Sequence, residues 1–531
     1  MKTIWVCLTV VAIAIRAAPA PAAEPGPNIV FILCDDLGYG DVHCLNPQGK
    51  IPTPNIDRIA REGMIFTDAH SGSAVCSPTR YGLLTGRYAW RSRLQQGVLG
   101  GLSPRLIEPH RMTVAALLKE NGYHTACFGK WHLGMDWDVK DEKKITELGI
   151  ETPDQVWNVD YSRPIANGPN AVGFDEYFGI SASLDMVPYT FIENDHVAVL
   201  PTAEMEFPMV LGRAGDMTRK GPAAPHFDAG GVLPALTQRA VDYIHRRAAA
   251  ARGGHPFFLY LPLASPHTPV AATPEWRGKS GLNAYADFVM QTDFGIGRVL
   301  AALDEQNLEG NTLVLMASDN GCSPYAQFDE LLAQGHNPNF MFRGNKADIY
   351  EGGHHVPLLA RWPANVKPGT TSDRLVCLTD FMATCAEIVG AALPPDAGED
   401  GVSFLPALLQ EKNESPRAAV VHHSSNGSFA IREGAWKLAL CPGSGGWSAP
   451  RPGREDASGL PLVQLFDLKG DIGEQHNAQA EQPEVVQRLT ALLERYAAEG
   501  RSTPGPKQTN AVRVDLWKAG KAAHQPLTRK P

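Results

Sequence analysis

Asn28-Ile29-Val30-Phe31-Ile32-Leu33, followed after Cys34 by Asp35-Asp36, is an unbroken β-prone apolar run that ends in two carboxylates. A strand with one face in water would alternate apolar and polar residues. An unbroken run suits a strand buried on both faces, as in a parallel sheet covered by helices. The pattern recurs three times: Thr125-Ala126-Cys127-Phe128 leads into Lys130-Trp131-His132, Phe257 to Leu263 into Ser265-Pro266-His267, and Thr312-Leu313-Val314-Leu315-Met316 into Ser318-Asp319-Asn320. Met112 to Asn121, Leu236 to Ala249 and Tyr285 to Leu303 carry apolar residues at three- and four-residue spacing, which predicts covering helices. The fold class that follows is α/β, a large doubly wound mixed sheet flanked by helices. Ligands bind such sheets beyond the carboxyl ends of the strands, so four strands ending in charged or imidazole side chains predict one shared active site. Each cluster alone would read as a solvated loop; four together make coincidence the weaker explanation.

The chain has 531 residues, which predicts one large domain and a smaller one. Hydrophobic residues make up 44% and charged residues 20%, which excludes disorder, collagen and coiled coil as descriptions of the whole chain. A net charge of -9 argues against a nucleic-acid binder, so any anionic substrate must meet local cations. Lys2, the apolar run Ile4 to Ile15 and the Ala-Pro stretch Ala17 to Ala23 read as a signal peptide over 1–23, the alternative being an uncleaved membrane anchor. Export is expected, periplasmic or secreted if the source is bacterial, with no stable membrane insertion after cleavage. A catalytic domain is expected over 24–412. A smaller α+β subdomain over 413–500 follows, with alternating segments Ser428 to Ile431, Ala435 to Leu440 and Leu462 to Leu468 in an antiparallel sheet packed by a helix from Pro483 to Ala498. The tail 501–531 reads as irregular. Of nine cysteines one lies in the leader, and none forms a Cys-x-x-Cys pair, so disulfides would be accessory.

Asp35, Asp36, Asp319 and Asn320 offer only oxygen ligands. Such a set selects a hard divalent cation, Ca2+ before Mg2+, over zinc or copper. Asp35 and Asp36 suit a turn or helix cap equally well when taken alone.

The segment Cys76-Ser77-Pro78-Thr79-Arg80-Tyr81-Gly82-Leu83-Leu84-Thr85-Gly86-Arg87 resembles the signature of type I sulfatases. Asp35-Asp36-Leu37-Gly38-Tyr39-Gly40-Asp41, Gly129-Lys130-Trp131-His132-Leu133-Gly134, Ser265-Pro266-His267, Ser318-Asp319-Asn320-Gly321, and Lys346 ahead of Glu351-Gly352-Gly353 extend the match over roughly residues 26 to 500. The resemblance implies an alkaline-phosphatase-like core and conversion of Cys76 to formylglycine by a formylglycine-generating enzyme. It also implies that Cys76, so modified, joins Asp35, Asp36, Asp319 and Asn320 at the cation.

Further roles follow from the resemblance together with side-chain chemistry. An aldehyde hydrate supplies two hydroxyls on one carbon, one to attack sulfur and one to expel sulfate later. Asp319 would assist the attack as base. Arg80, one helical turn past Cys76, would hold that hydroxyl and the carboxylates. Lys130, His267 and Lys346 would surround the sulfate oxygens, with His267 or Lys346 protonating the leaving oxygen. His132 would remove a proton from the second hydroxyl. Ser183, Asp185 and His336 are substrate-binding candidates, and His354 and His355 are either pocket-lining or plain loop histidines.

The resulting expectation is an exported sulfuric-ester hydrolase acting on sulfated carbohydrate, with aryl sulfates as artificial substrates. The chain has no long apolar hairpin for docking on a membrane, which favours sugar over steroid. The segment Asp319 to Glu351 looks like that of galactosamine-6-sulfatase-type enzymes. The competing expectations are a phosphonate or phosphodiester hydrolase of the same superfamily, and a glycan-binding homologue that has lost activity.

Overall fold

The computed structural model describes residues 26–141, 145–411 and 417–517. The leader expected over 1–23, the boundary expected at 412/413 and the last part of the tail lie outside the described residues.

The apolar run Ile29 to Cys34 lies in the central strand, Asn28–Asp35, buried along its whole length. It pairs in parallel with Phe257–Pro266 on one side and Thr312–Ser318 on the other, with Ile29 opposite both Phe258 and Leu313. Outward from Phe257–Pro266 come His124–Lys130 and Glu176–Ile180, both parallel, and then the short antiparallel pair Ile192–Glu193 and His196–Val197. On the other side Leu358–Arg361 runs antiparallel to Thr312–Ser318, followed by Met64–Phe66 and Thr370–Ser372, which completes a mixed sheet of ten strands.

Alternation along the central strand divides the core into two layers. Ile29, Phe31 and Leu33 pack with Tyr81, Leu84, Val114, Leu118 and Phe381. Val30, Ile32 and Cys34 point the opposite way, to Ile56, Leu236, Ile244, Ile296 and Leu300. Between its ends the strand meets apolar layers on both faces, which accounts for the unbroken apolar run Ile29 to Cys34. The long helices Val232–Arg252 and Ala284–Glu305 overlap the two expected there, and Val114–Glu120 lies inside the third. Asn283 and Thr113 cap two of them by accepting hydrogen bonds from the amides of Ala286 and Ala116.

The smaller sheet has four antiparallel strands, Val420–His423, Phe429–Glu433, Trp436–Ala439 and Gln464–Asp467, with the helix Pro483–Glu499 packed on it. The first of these strands was not foreseen. Val420-Val421-His422-His423 has no alternation to reveal it, because both its faces are buried. This sheet shares a core with Tyr88, Trp90 and Cys377, and the Ala74 amide donates to the His423 carbonyl. The eight described cysteines are free thiols, so no disulfide joins the described parts of the chain.

Candidate active site

The parallel register brings the carboxyl ends of the central strands to one edge: Cys34 lies opposite Ser318, Asp35 opposite Pro266, and Lys130 ends the neighbouring strand. The residues immediately after these strands therefore meet. Asp36, His132 and Ala347 all adopt left-handed φ, at 65°, 55° and 80°, a conformation that disfavours side chains other than glycine. Backbone strain of this kind collects where surrounding structure must hold a side chain in a required place.

Asp35, Asp36, Asp319 and Asn320 are buried together. Asn320 donates from Nδ2 to Asp36 Oδ1 at 2.7 Å, and the Asp36 amide donates to Asp319 Oδ1 at 3.3 Å. The remaining oxygens Asp35 Oδ1 and Asn320 Oδ1 are buried without a hydrogen-bond partner. Orphaned buried acceptors are costly, and two of them in an oxygen-only set fit a hard divalent cation. Burial and the negative charge of Asp35 raise the Asp319 carboxyl to about 7. Asp35 is held below the ordinary carboxylate range, because Lys130, His267, Arg80 and Lys346 together outweigh the burial that opposes its charge.

Cys76 is the first residue of the helix Cys76–Thr85, every residue of which is buried. Its Sγ lies within 4.8 Å of carboxylate oxygens of Asp35 and Asp319. Burial raises the thiol, with Lys130 and Lys346 acting in the opposite direction. Arg80, one turn on and wholly buried, donates from Nη2 and Nε to Asp319 Oδ2 at 2.8 and 3.1 Å and from Nη1 to the Lys130 carbonyl at 3.0 Å. Lys130 Nζ pairs with Asp35 at 2.6 Å, and Lys346 Nζ with Asp36 at 2.7 Å. Burial opposes the Lys346 charge, but Asp36 and the groups around it raise its ammonium above the ordinary lysine range. Lys346 thus stays a cation beside the carboxylates.

The histidines differ in what their free nitrogens face. His132 Nε2 lies 2.8 Å from the Leu99 carbonyl, so Nε2 carries the proton and Nδ1, 3.5 Å from Ser183 Oγ, is left as acceptor. Burial and the Lys130 charge keep this ring neutral, well below the ordinary histidine range. His267 donates from Nδ1 to the Thr268 carbonyl at 2.7 Å and turns Nε2 toward Asp36 at 3.7 Å. The Leu99 carbonyl has no signal in sequence, because any residue could supply it.

Ser183 therefore touches the site through His132. Asp185 is half-buried, with Oδ1 buried and unpartnered, and its main-chain carbonyl accepts from the Arg219 amide. His336 is a correction. It is fully buried, with Nε2 2.8 Å from Asp41 Oδ1 and Nδ1 accepting from the Lys50 amide at 3.1 Å, so both ring nitrogens are engaged and no edge is left for substrate. Arg87, at the end of the signature segment, is likewise buried in ion pairs with Glu108 and Glu399.

His354 and His355 do not line the pocket either; both belong to a buried cluster with His70 and His422. Lys437 Nζ lies 2.9 Å from His354 Nε2, His354 Nδ1 lies 3.2 Å from His70 Nδ1, and His70 Nε2 lies 2.8 Å from Asp68. Arg432 pairs with Asp68, and Lys437 also pairs with Glu351 and Glu474. The cluster joins the strand Ala69–His70, the helix Glu351–His354 and the smaller sheet. Its members lie up to some 350 positions apart, so local pattern could not reveal it.

Burial lowers His70 to about 4 and holds His422 well below its ordinary value of 6.5. The folded rings bind protons more weakly than the unfolded chain, so the stability they allow is complete above about 6.5 and is lost as pH falls below it. His422 donates from Nδ1 to the Ser71 carbonyl at 3.0 Å, and His422→Asn keeps such a donor while removing the titrating ring. The Tm of the wild type should fall relative to that variant between about pH 7 and about pH 5. A constant Tm difference over this range would show that His422 is not held neutral.

A family model described as Sulfatase matches residues 27–391. The chain is 33% identical to an N-acetylgalactosamine-6-O-sulfatase of Bacteroides thetaiotaomicron, over 88% of this chain and 92% of that one. It is also 33% identical to the steryl-sulfatase of Mus musculus, over 96% and 88%. A solved structure from work on glycosaminoglycan metabolism by Bacteroides thetaiotaomicron superposes with a TM-score of 0.73 at 32% identity, covering 89% of this chain and 99% of that one. No helix among the described residues is long and apolar enough to cross a membrane. With a family model over most of its length, relatives that are sulfatases, and an alkaline-phosphatase-like mixed sheet with a smaller antiparallel sheet beside it, the chain belongs to the sulfatase family and is a sulfuric-ester hydrolase.

Proposed function

We propose that this sulfatase removes sulfate from a sulfated carbohydrate, of the 6-O-sulfated galactose or N-acetylgalactosamine type, through a formylglycine made from Cys76. The observation that carries the reading is the meeting of Cys76 Sγ, an oxygen-only carboxylate set and the cations Lys130, Lys346 and Arg80 at one edge of the sheet. The sugar class is supported by the N-acetylgalactosamine-6-sulfatase activity in the names of relatives at 33% and 30% identity.

Asp35, Asp36, Asp319 and Asn320 would hold the cation, Ca2+ by their chemistry, with Mg2+ the second candidate. When bound, it would withdraw charge from a sulfate oxygen and make a neighbouring hydroxyl more acidic. As formylglycine hydrate, residue 76 would offer one hydroxyl to sulfur and keep the second for release of sulfate. Arg80 orients residue 76 and Asp319 together, since its fork binds Asp319 from the same helix. Lys130 and Lys346 stabilise charge on the sulfate oxygens as it grows in the transition state. His132, neutral and with Nδ1 unprotonated, takes the proton of the second hydroxyl. His267, whose Nδ1 donates to the Thr268 carbonyl, delivers a proton from Nε2 to the departing oxygen, with Lys346 the alternative donor. Ser183 holds His132, and Asp185 has a free oxygen for a substrate hydroxyl.

The test is a mass measurement across the Cys76 peptide of protein made with a formylglycine-generating enzyme, followed by turnover of matched sulfate and phosphate monoesters. The expected result is an aldehyde or its hydrate at residue 76 and preference for sulfate, with N-acetylgalactosamine 6-sulfate turned over faster than its 4-sulfate isomer. Preferential phosphate or phosphonate turnover would overturn the sulfate reading. An unmodified thiol with no turnover of any ester would favour a glycan-binding role.

A further inference from the structure

Trp447 lies in the loop between the strands Trp436–Ala439 and Gln464–Asp467 of the smaller sheet, yet its indole reaches the edge of the active site, where Lys346 Nζ is 5.9 Å from the ring centroid. Lys346 is 5% exposed whereas Trp447 is 46% exposed, so the lysine lies beneath a surface at which the indole stays open. A tryptophan left this open forgoes much of the burial its size would gain, and the structure around it is built to keep it there.

The loop is pinned from beneath by Asp348, two residues past Lys346. The amides of Trp447 and Ser448 donate to Asp348 Oδ1 at 2.7 and 3.0 Å, and Ser448 Oγ donates to Oδ2 at 2.5 Å. Oδ2 also accepts the Asn345 amide at 2.9 Å, so a single side chain fixes the lysine-bearing turn and the tryptophan-bearing loop against each other. Ser444 closes the loop on itself, donating from Oγ to the Ser448 carbonyl at 2.7 Å, and its carbonyl accepts the Ile349 amide. Contact at this distance also needs a glycine at 446, where a Cβ would lie 2.3 Å from the Ala347 carbonyl oxygen. The loop backbone that carries the indole is therefore preorganised, and little of its ordering entropy is left to lose when a ligand covers the ring.

An exposed, rigid aromatic face beside an anion-binding lysine suits a molecule with an apolar face and a sulfate on its edge. A pyranose ring has that shape: its axial C–H groups form a flat apolar patch that packs on an indole, and its hydroxyls remain at the rim. We propose that Trp447 is the platform for the sugar ring of the sulfated substrate, so that the smaller subdomain supplies a specificity-determining residue to a site whose chemistry comes entirely from the larger one. This inference rests on the sulfated-carbohydrate reading above and adds the residue that would recognise the sugar.

The test compares wild type, Trp447→Ala and Trp447→Phe on N-acetylgalactosamine 6-sulfate, with competitive inhibition by inorganic sulfate as a second readout. Loss of the indole is expected to raise KM about tenfold, the equivalent of one aromatic packing contact with its buried area. Phenylalanine should restore most of that loss, with kcat and inhibition by inorganic sulfate unchanged in both variants. Equal KM values in wild type and Trp447→Ala would overturn the platform and leave the sugar reading standing. Parallel weakening of inorganic sulfate would overturn it too, because Trp447 would then act only as a buttress for Lys346. If the wild type hydrolyses an aryl sulfate but no sulfated sugar, the sugar reading itself fails, an outcome separate from the other two.

Discussion

Cys76→Ala is expected to abolish sulfate-ester turnover, with kcat lower by at least about 10⁴-fold, while the protein stays folded. In the proposed mechanism residue 76 is the attacking group, and its Sγ lies within 4.8 Å of the Asp35 and Asp319 oxygens. It opens a helix whose residues are all buried, so its position is set by packing. Alanine keeps the helix and that packing but offers no atom that can bond to sulfur. Removing one sulfur from a packed interior costs about 1–2 kcal/mol, too little to unfold a domain of this size. The two measurements are kcat on a sulfate ester and the thermal midpoint. A variant that is folded and within tenfold of wild type would place the nucleophile elsewhere.

The second large effect is expected at Arg80. Arg80→Leu should lower stability by about 3–5 kcal/mol and remove activity, because deleting one partner of a buried ion pair leaves the other charge uncompensated. The residue is wholly buried, binds Asp319 with two nitrogens, approaches Asp35 at 3.7 Å and satisfies the Lys130 carbonyl. Its own burial is outweighed by the attraction of Asp319 and Asp35, which raises the guanidinium further above its already high range. Leucine would fill the space but supply none of the three hydrogen bonds. Arg80→Lys restores a charge without the planar fork, so it should recover part of the stability and little of the activity. Denaturant midpoints of the three proteins, read beside their kcat values, check this order. A leucine variant as stable as wild type would mean that the carboxylates are balanced by other groups.

The two large effects fall on residues that stand out in sequence, whereas the corrections concern residues read by type alone. The strand Asn28–Asp35 was legible because its stretch Ile29 to Cys34 meets apolar layers on both faces and is itself apolar without a break, a pattern local to the chain. Val420–His423 is covered on both faces too, but it is only four residues long and half histidine, and so gave no pattern. His336, His354 and His355 looked like site candidates because imidazoles commonly serve function. Whether a ring nitrogen is free depends on partners such as Asp41 and the Lys50 amide for His336, and Lys437 and His70 for His354, all distant in sequence. Asp348 and Trp447 had no assigned role for the same reason, since the bond between them spans about a hundred positions.

By itself the sequence determined the α/β class, the central strands and the family, because buried strands, helix periodicity and a contiguous signature segment are properties of neighbouring residues. Only the tertiary structure decided which side chains share one edge of the sheet, which buried oxygens lack a partner, which histidines have both ring nitrogens engaged, and that a tryptophan from a loop of the smaller sheet stands beside Lys346. Those properties depend on distances between segments hundreds of residues apart. The parallel register and the packing of two sheets set such distances, and no local pattern encodes them.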